Sequence, residues 1–269
     1  MLKKLICLAC AMLMAVLPVL AEDAGDGVTE IEETFMLTDD GEAILVEEET
    51  GSGFDQTARN DFIDRIIAMG HDLYVKADGK AQRAHYAGDI YVCKNFTTYL
   101  FRKNRDDFCM AEYPGKQLII PNNLPSEKCR PYYYGMFWEE KTAAQGNPFE
   151  VAAQFLYNSD LTEEENLALA CDFMRQARRG DFFQMSAQYE YGTGAHSAII
   201  IEDYDSATDS IHWMDSNMRG KKVNGIRYGI VQYDEVKDVA WWASTFCHPK
   251  RGATLYRMRE DIIYAEDAP

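Results

Sequence analysis

Apolar residues recur along this chain with two different periods, and the change from one to the other falls near residue 180. From Asn60 to Val75, Phe62, Ile66, Ile67 and Leu73 stand at helical spacing, which predicts an amphipathic helix. In "DIYVCKNFTTYLFRKNRDDF", Cys93, Phe96, Thr97, Leu100 and Phe101 fall at i, i+3, i+4, i+7 and i+8. That is the buried face of a second helix, with Cys93 in its first turn. Tyr113 to Gly146, with "PNNLP" and "RPYYYGMFW", has the Pro, Asn and Gly content of long loops. Two further helices are predicted, Pro148 to Tyr157 and Thr162 to Arg178. The second opens on Thr-Glu-Glu-Glu and closes on Arg175, Arg178 and Arg179 before Gly180, charges that suit the helix dipole.

Beyond Gly180 the period becomes two. Phe182 to Gln188, His196 to Tyr204, Ser210 to Asp215, Ile226 to Val231 and Thr254 to Arg257 read as strands separated by Gly, Asp and Asn turns, with a short helix over Glu235 to Trp242. Helices first and strands second predict an α+β domain, an N-terminal helical part carrying the Cys93 helix packed on a C-terminal antiparallel sheet. No internal repeat is visible.

The first 55 residues change the domain picture. Lys3 and Lys4 precede an apolar run from Leu5 to Leu20 that closes on a small residue, Ala21, so residues 1–21 are expected to be a secretory signal peptide. The run is shorter than the roughly 20 residues a bilayer core needs, which favours cleavage over anchoring. Cys10 lacks the leucine three residues before it that a lipoprotein site would have. Residues 22–55 hold 13 Asp and Glu with no Lys or Arg, the composition of an acidic, disordered spacer. A propeptide covering an active site is the sharper alternative. Residues 56–269 then form one domain.

The signal and spacer account for most of the net charge of −17, leaving −6 on residues 56–269. No basic stripe is present to neutralise phosphates, so nucleic-acid binding is disfavoured. The expected location is secreted or cell-surface, with no membrane association after cleavage. Cys93, Cys109, Cys129, Cys171 and Cys247 survive processing, an odd number that leaves at least one thiol unpaired. Their spacing matches no zinc pattern, and no metal or organic cofactor is expected.

A cysteine nucleophile acts as its thiolate, and a helix N-terminus or an adjacent imidazolium favours that form. Cys93 is the one mature cysteine predicted in a first helical turn. The thiol also needs a base, and the base needs a group that holds its tautomer. His196 opens a strand after a Gly-Thr-Gly-Ala loop, whereas His71, His85, His212 and His248 read as structural. A hairpin folded at Asp205 to Asp209 would bring Asp215 of "SIHWMDSNM" near the level of His196, with Asn217 in reserve. Singly these residues are bland: a packed thiol, a strand-end histidine, a turn. Their order and setting together point to a thiol hydrolase.

At these residues the sequence resembles the bacterial cell-wall hydrolases of the CHAP and NlpC type. The matching pieces are "CKNFTTYLF", "GDFFQM", "HSAIII" and "WMDSN", the last similar to the Glu-x-Asn ending of the CHAP pattern. Val92 before the cysteine and Lys94-Asn95 after it depart from the family. The resemblance implies a papain-like fold and a secreted cysteine peptidase or amidase that cleaves amide bonds in peptidoglycan or related peptides. Cys93 would attack, His196 would carry the proton, and Asp215 or Asn217 would orient the ring. The backbone N–H of Cys93 would meet the oxyanion, with Tyr86, Tyr91 or His85 as the second donor. Two alternatives stand beside this. One is a transglutaminase-like acyl transferase, to whose tryptophan-rich strand "HWMD" is faintly similar. The other is a non-enzymatic module binding a ligand through Tyr132 to Trp138.

Overall fold

The computed structural model describes residues 54–84, 90–121, 133, 135–138, 146–187 and 194–268, together with the backbone of two short strands nearer the N-terminus. The expected signal peptide, His85, Tyr86, Gln188 and Cys129 lie outside the described residues. The chain divides into two compact units, Met1–Thr50 and Gly51–Pro269. In the first, β1 (Thr34–Leu37) pairs antiparallel with β2 (Ala43–Val46). This hairpin lies inside the segment expected to be disordered. Its strands hold the β-favouring residues Phe35, Ile44 and Val46.

The second unit is a mixed α+β domain. Helix α1 (Thr57–Ala77) starts where the Asp55 carboxylate accepts the Thr57 N–H at 2.9 Å, and it stops at Asp78, whose φ of 50° ends the helical run. Helix α2 (Cys93–Asn104) buries Phe96, Thr97, Leu100 and Phe101, the face its periodicity predicts. Helix α3 (Glu163–Met174) carries a capping box between Thr162 and Glu165 and ends earlier than expected. Helix α4 (Val239–Phe246) is capped by the Asp238 side chain on Trp241 N–H, and it starts four residues later than expected because the preceding strand runs on.

Among the described residues this unit also holds nine strands. They are β3 (Gln82–Ala84), β4 (Phe108–Met110), β5 (Phe149–Leu156), β6 (Phe182–Met185), β7 (His196–Ile200), β8 (Ser210–Val223), β9 (Ile226–Asp238), β10 (Gly252–Met258) and β11 (Ile262–Tyr264). Seven form one antiparallel sheet in the order β3-β9-β8-β7-β6-β10-β5, while β4 pairs with β11 separately. Among the described residues no helix is long and apolar enough to cross a membrane.

The segment expected as a helix from Pro148 to Tyr157 is the edge strand β5. Its Ala-Ala-Gln-Phe-Leu stretch has helical propensity, but Phe149, Ala153 and Phe155 are buried in a near-alternating pattern against β10. A bulge at Ala152 breaks the strict alternation and hides the period from the sequence. Strands β8 and β9 are also longer than expected and turn through Asn224-Gly225, both at positive φ, as a two-residue hairpin requires.

The sheet is covered on both faces, not by one N-terminal helical layer. On one face Phe62, Ile66, Phe96 and Leu100 of α1 and α2 pack on Phe182, Ile199, Met214 and Tyr256. On the other, Phe173, Trp242 and Phe246 of α3 and α4 pack on Phe183, Ile200, Trp213 and Leu255. Alternate residues of the central strands therefore feed two cores, which is why these strands read as continuous apolar runs.

The approach to α2 depends on Gly229. A Cβ there would sit 2.2 Å from the carbonyl oxygen of Tyr91, two residues before Cys93. Gly229→Ala is expected to cost about 1–3 kcal/mol as overpacking, read as a lower urea midpoint. It should also change the alkylation rate of Cys93, because Tyr91 and Val92 lead directly into it. An unchanged midpoint would mean that this segment gives way freely.

Candidate active site

Three elements converge at the N-terminus of α2. Val92 is extended and Cys93 is the first helical residue, with no side-chain cap and no acidic residue in the first turn. The positive end of the helix dipole is therefore left for the Cys93 sulfur. Among the described residues strand β7 pairs with β8 at Ile199 and Ile200, while its start, His196 and Ser197, pairs with β6 alone. There the Cys93 thiol donates to Ala195 O at 3.8 Å, and the His196 ring and the backbone N–H groups of Ser197 and Lys94 favour its thiolate.

His196 Nε2 stands 2.8 Å from Asp215 Oδ2. Since that nitrogen is taken by the carboxylate, the one left for the thiol is Nδ1. The ring is held between a buried carboxylate on β8 and a thiol on α2. The β8–β9 register shifts between Trp213 and Asp215, with Tyr233 and Asp234 opposite a single residue and Asp234 at φ 53°. A bulge of this kind bends the strand and re-aims neighbouring side chains.

The electrostatics follow from this geometry. Burial opposes the Cys93 thiolate, but the hydrogen bond and charge of His196, with the Ser197 and Lys94 N–H groups, hold its pKa below the ordinary thiol value. Burial likewise opposes the imidazolium, yet Asp215 and then Cys93 raise His196 to about 10. A thiolate and an imidazolium side by side are the favoured state over the interval between these values. Burial pushes Cys247 the other way, to about 11. Cys93, Cys109, Cys171 and Cys247 are all free thiols.

Cys93, His196 and Asp215 are thus brought together. Asn217 lies two residues further along β8 opposite Ile230, and among the described residues no hydrogen bond joins it to His196. Tyr91 packs its ring against the α1–α2 core and makes no hydrogen bond through its hydroxyl among the described residues. Ser197 beside the thiol, and Gln184, which accepts from Ser197 Oγ at 2.7 Å, were not anticipated from the sequence. Their signal was present: a glutamine within "FFQM" is a polar group at a position the period assigns to the core.

A groove of about 550 Å³ runs along α2, lined by Asn95, Thr98, Arg102 and Asp106 among others. At 100° per residue these positions lie on the side of the helix opposite Cys93, so this groove is separate from the thiol. Among the described residues no three His, Cys, Asp or Glu side chains converge as a metal site. No protein-family model matches the chain, and no curated protein or solved structure is significantly similar to it.

Proposed function

We propose that this chain is a papain-like thiol hydrolase of the extracytoplasmic space that cleaves amide bonds in peptidoglycan or related peptides. The observation that carries the reading is the His196 ring, bonded through Nε2 to Asp215 at 2.8 Å and set beside a Cys93 whose thiolate it favours. In this mechanism the Cys93 thiolate attacks the amide carbonyl, and the imidazolium passes its proton to the departing nitrogen. His196, now neutral, takes a proton from water as that water attacks the thioester, and the acid product leaves. The substrate class rests on the resemblance of "CKNFTTYLF", "HSAIII" and "WMDSN" to the cell-wall hydrolases.

The pH dependence of iodoacetamide labelling tests the nucleophile without a substrate. As pH falls, Cys93 should keep labelling below the ordinary thiol range, while Cys247 labels only in alkali. In His196→Ala the Cys93 profile should move up to the ordinary thiol range near pH 8.5. Labelling of Cys93 that matches Cys247, or is identical in the variant, defeats the reading.

A further inference from the structure

Helix α2 carries charge of one sign. In a domain whose residues 56–269 sum to −6, the run from Cys93 to Arg105 holds Lys94, Arg102, Lys103 and Arg105 and no carboxylate. Cations in a last turn offset the helix dipole, and two of these are also held by neighbours. Arg105 Nη1 donates to Leu118 O at 2.7 Å, and Lys103 Nζ stands 5.8 Å from the centre of the Tyr99 ring. Arg102 differs. It is exposed at the groove on the outer side of α2, and among the described residues no carboxylate, carbonyl or ring meets its guanidinium.

Its charge is nevertheless felt by its neighbours. Burial first, and the Arg102 charge second, lower the pKa of both Lys94 and Arg105. One carboxylate, Asp106, stands 4.0 Å from Arg105, and it also accepts from Gln117 at 2.7 Å. What remains is a positive surface that an anion would stabilise.

The groove sets the shape of that anion. From Asn95 to Asp106 it follows α2 for about 16 Å, the length of about five extended residues. Its volume of about 550 Å³ is that of a ligand site. Asn95 and Thr98 bring side-chain groups that suit peptide N–H and C=O, and Ile90 and Tyr99 add apolar wall. A planar guanidinium matches a carboxylate through two parallel hydrogen bonds. Asp106 at the far end repels a doubly charged phosphate more than a single carboxylate.

We propose that the outer groove of α2 binds an extended acidic peptide, with Arg102 receiving a carboxylate and Asn95 and Thr98 meeting the peptide backbone. The site is noncovalent and lies on the side of α2 away from Cys93, so it does not depend on the nucleophile reading. It gives the chain a hold on acidic peptide remote from the reacting sulfur.

The test is fluorescence anisotropy of a rhodamine-labelled pentaglutamate on the full-length chain at low ionic strength, with labelled pentaglutamine as the neutral control. Pentaglutamate should bind about tenfold more tightly than pentaglutamine, or better. Arg102→Gln should weaken it about 10–100-fold, the worth of a hydrogen-bonded charge. Lys80→Gln removes the same charge from an exposed pair with Asp78 outside the groove, and should change binding by less than about twofold. Both side chains are exposed, so the fold should survive either change. Equal losses in the two variants would mean attraction by net charge alone and overturn the site. No binding to the parent, or equal binding of the two peptides, overturns it as well. Displacement of pentaglutamate by inorganic phosphate as readily as by unlabelled peptide would give the groove to a phosphate ligand and overturn the peptide. The readout involves no reaction at Cys93, and the labelling experiment decides the nucleophile separately.

Discussion

Asp215→Asn should lower amide or ester hydrolysis by about 10³–10⁴-fold, the scale on which a triad loses rate when its carboxylate becomes neutral. The physical cause lies in the buried position of Asp215, 3% exposed on β8 with Oδ2 at 2.8 Å from His196 Nε2. A carboxylate there holds the ring as an acceptor and stabilises the imidazolium. Asparagine keeps the shape but removes the charge, and its amide group competes as a donor for the same nitrogen. The His196 pKa, raised in the parent to about 10, should fall, and the thiolate of Cys93 should lose its counterion at neutral pH. Two measurements check this, hydrolysis rate and the pH midpoint of Cys93 labelling, and both should move. A variant within tenfold of the parent would exclude Asp215 as the orienting group. If Asn217→Ala then fell sharply where Asp215→Asn did not, the role would belong to Asn217.

The largest loss of stability is expected far from the site, at Arg257→Met. Asp181, fully buried in the turn before β6, is held by Arg257 of β10 through Nε at 2.9 Å and Nη2 at 2.8 Å, and it accepts the Arg178 N–H at 2.9 Å. Arg257 also donates to Gln176 O beyond the end of α3, so one guanidinium ties β10 to both ends of the connection between α3 and β6. Removing it strands a buried charge, at a cost of about 3–5 kcal/mol. Burial pushes the Asp181 carboxyl above its ordinary value, and Arg257 opposes that rise. Without the arginine the rise is larger.

The sign for pH follows from that direction. A carboxyl whose folded pKa lies above its unfolded one favours folding when protonated, and this advantage disappears as pH rises through the folded value. Arg257→Met should therefore be weakest near pH 7 and recover part of its deficit toward about pH 4. Urea unfolding at the two pH values measures this. A loss below about 1 kcal/mol at pH 7, or one independent of pH, would mean that the pair does not bear on the fold.

Much of the site was legible in the chain because its signals are local. The helical spacing of Phe96, Thr97, Leu100 and Phe101 places Cys93 in a first turn whatever lies around it. The Gly-Thr-Gly-Ala loop before "HSAIII" puts His196 at a strand mouth, and the short Asp-rich turn after that strand returns Asp215 toward it. The choice between Asp215 and Asn217 was not legible, since it depends on a register shift between β8 and β9 that involves Tyr233 and Asp234, residues remote from the histidine in sequence. The place of Ser197 was hidden for a related reason, since only the docking of α2 sets it beside the thiol.

The chain by itself thus determined which residues face inward on α2 and on the central strands, and the order of thiol, imidazole and carboxylate. Tertiary structure alone decided that Phe149–Leu156 extends as an edge strand, that helices cover both faces of the sheet, and which carboxylate meets the ring. Periodicity records how each segment is buried along its own length. Strand pairing and bulges are set by partners distant in sequence, and their energies exceed the few tenths of a kcal/mol by which local propensities differ.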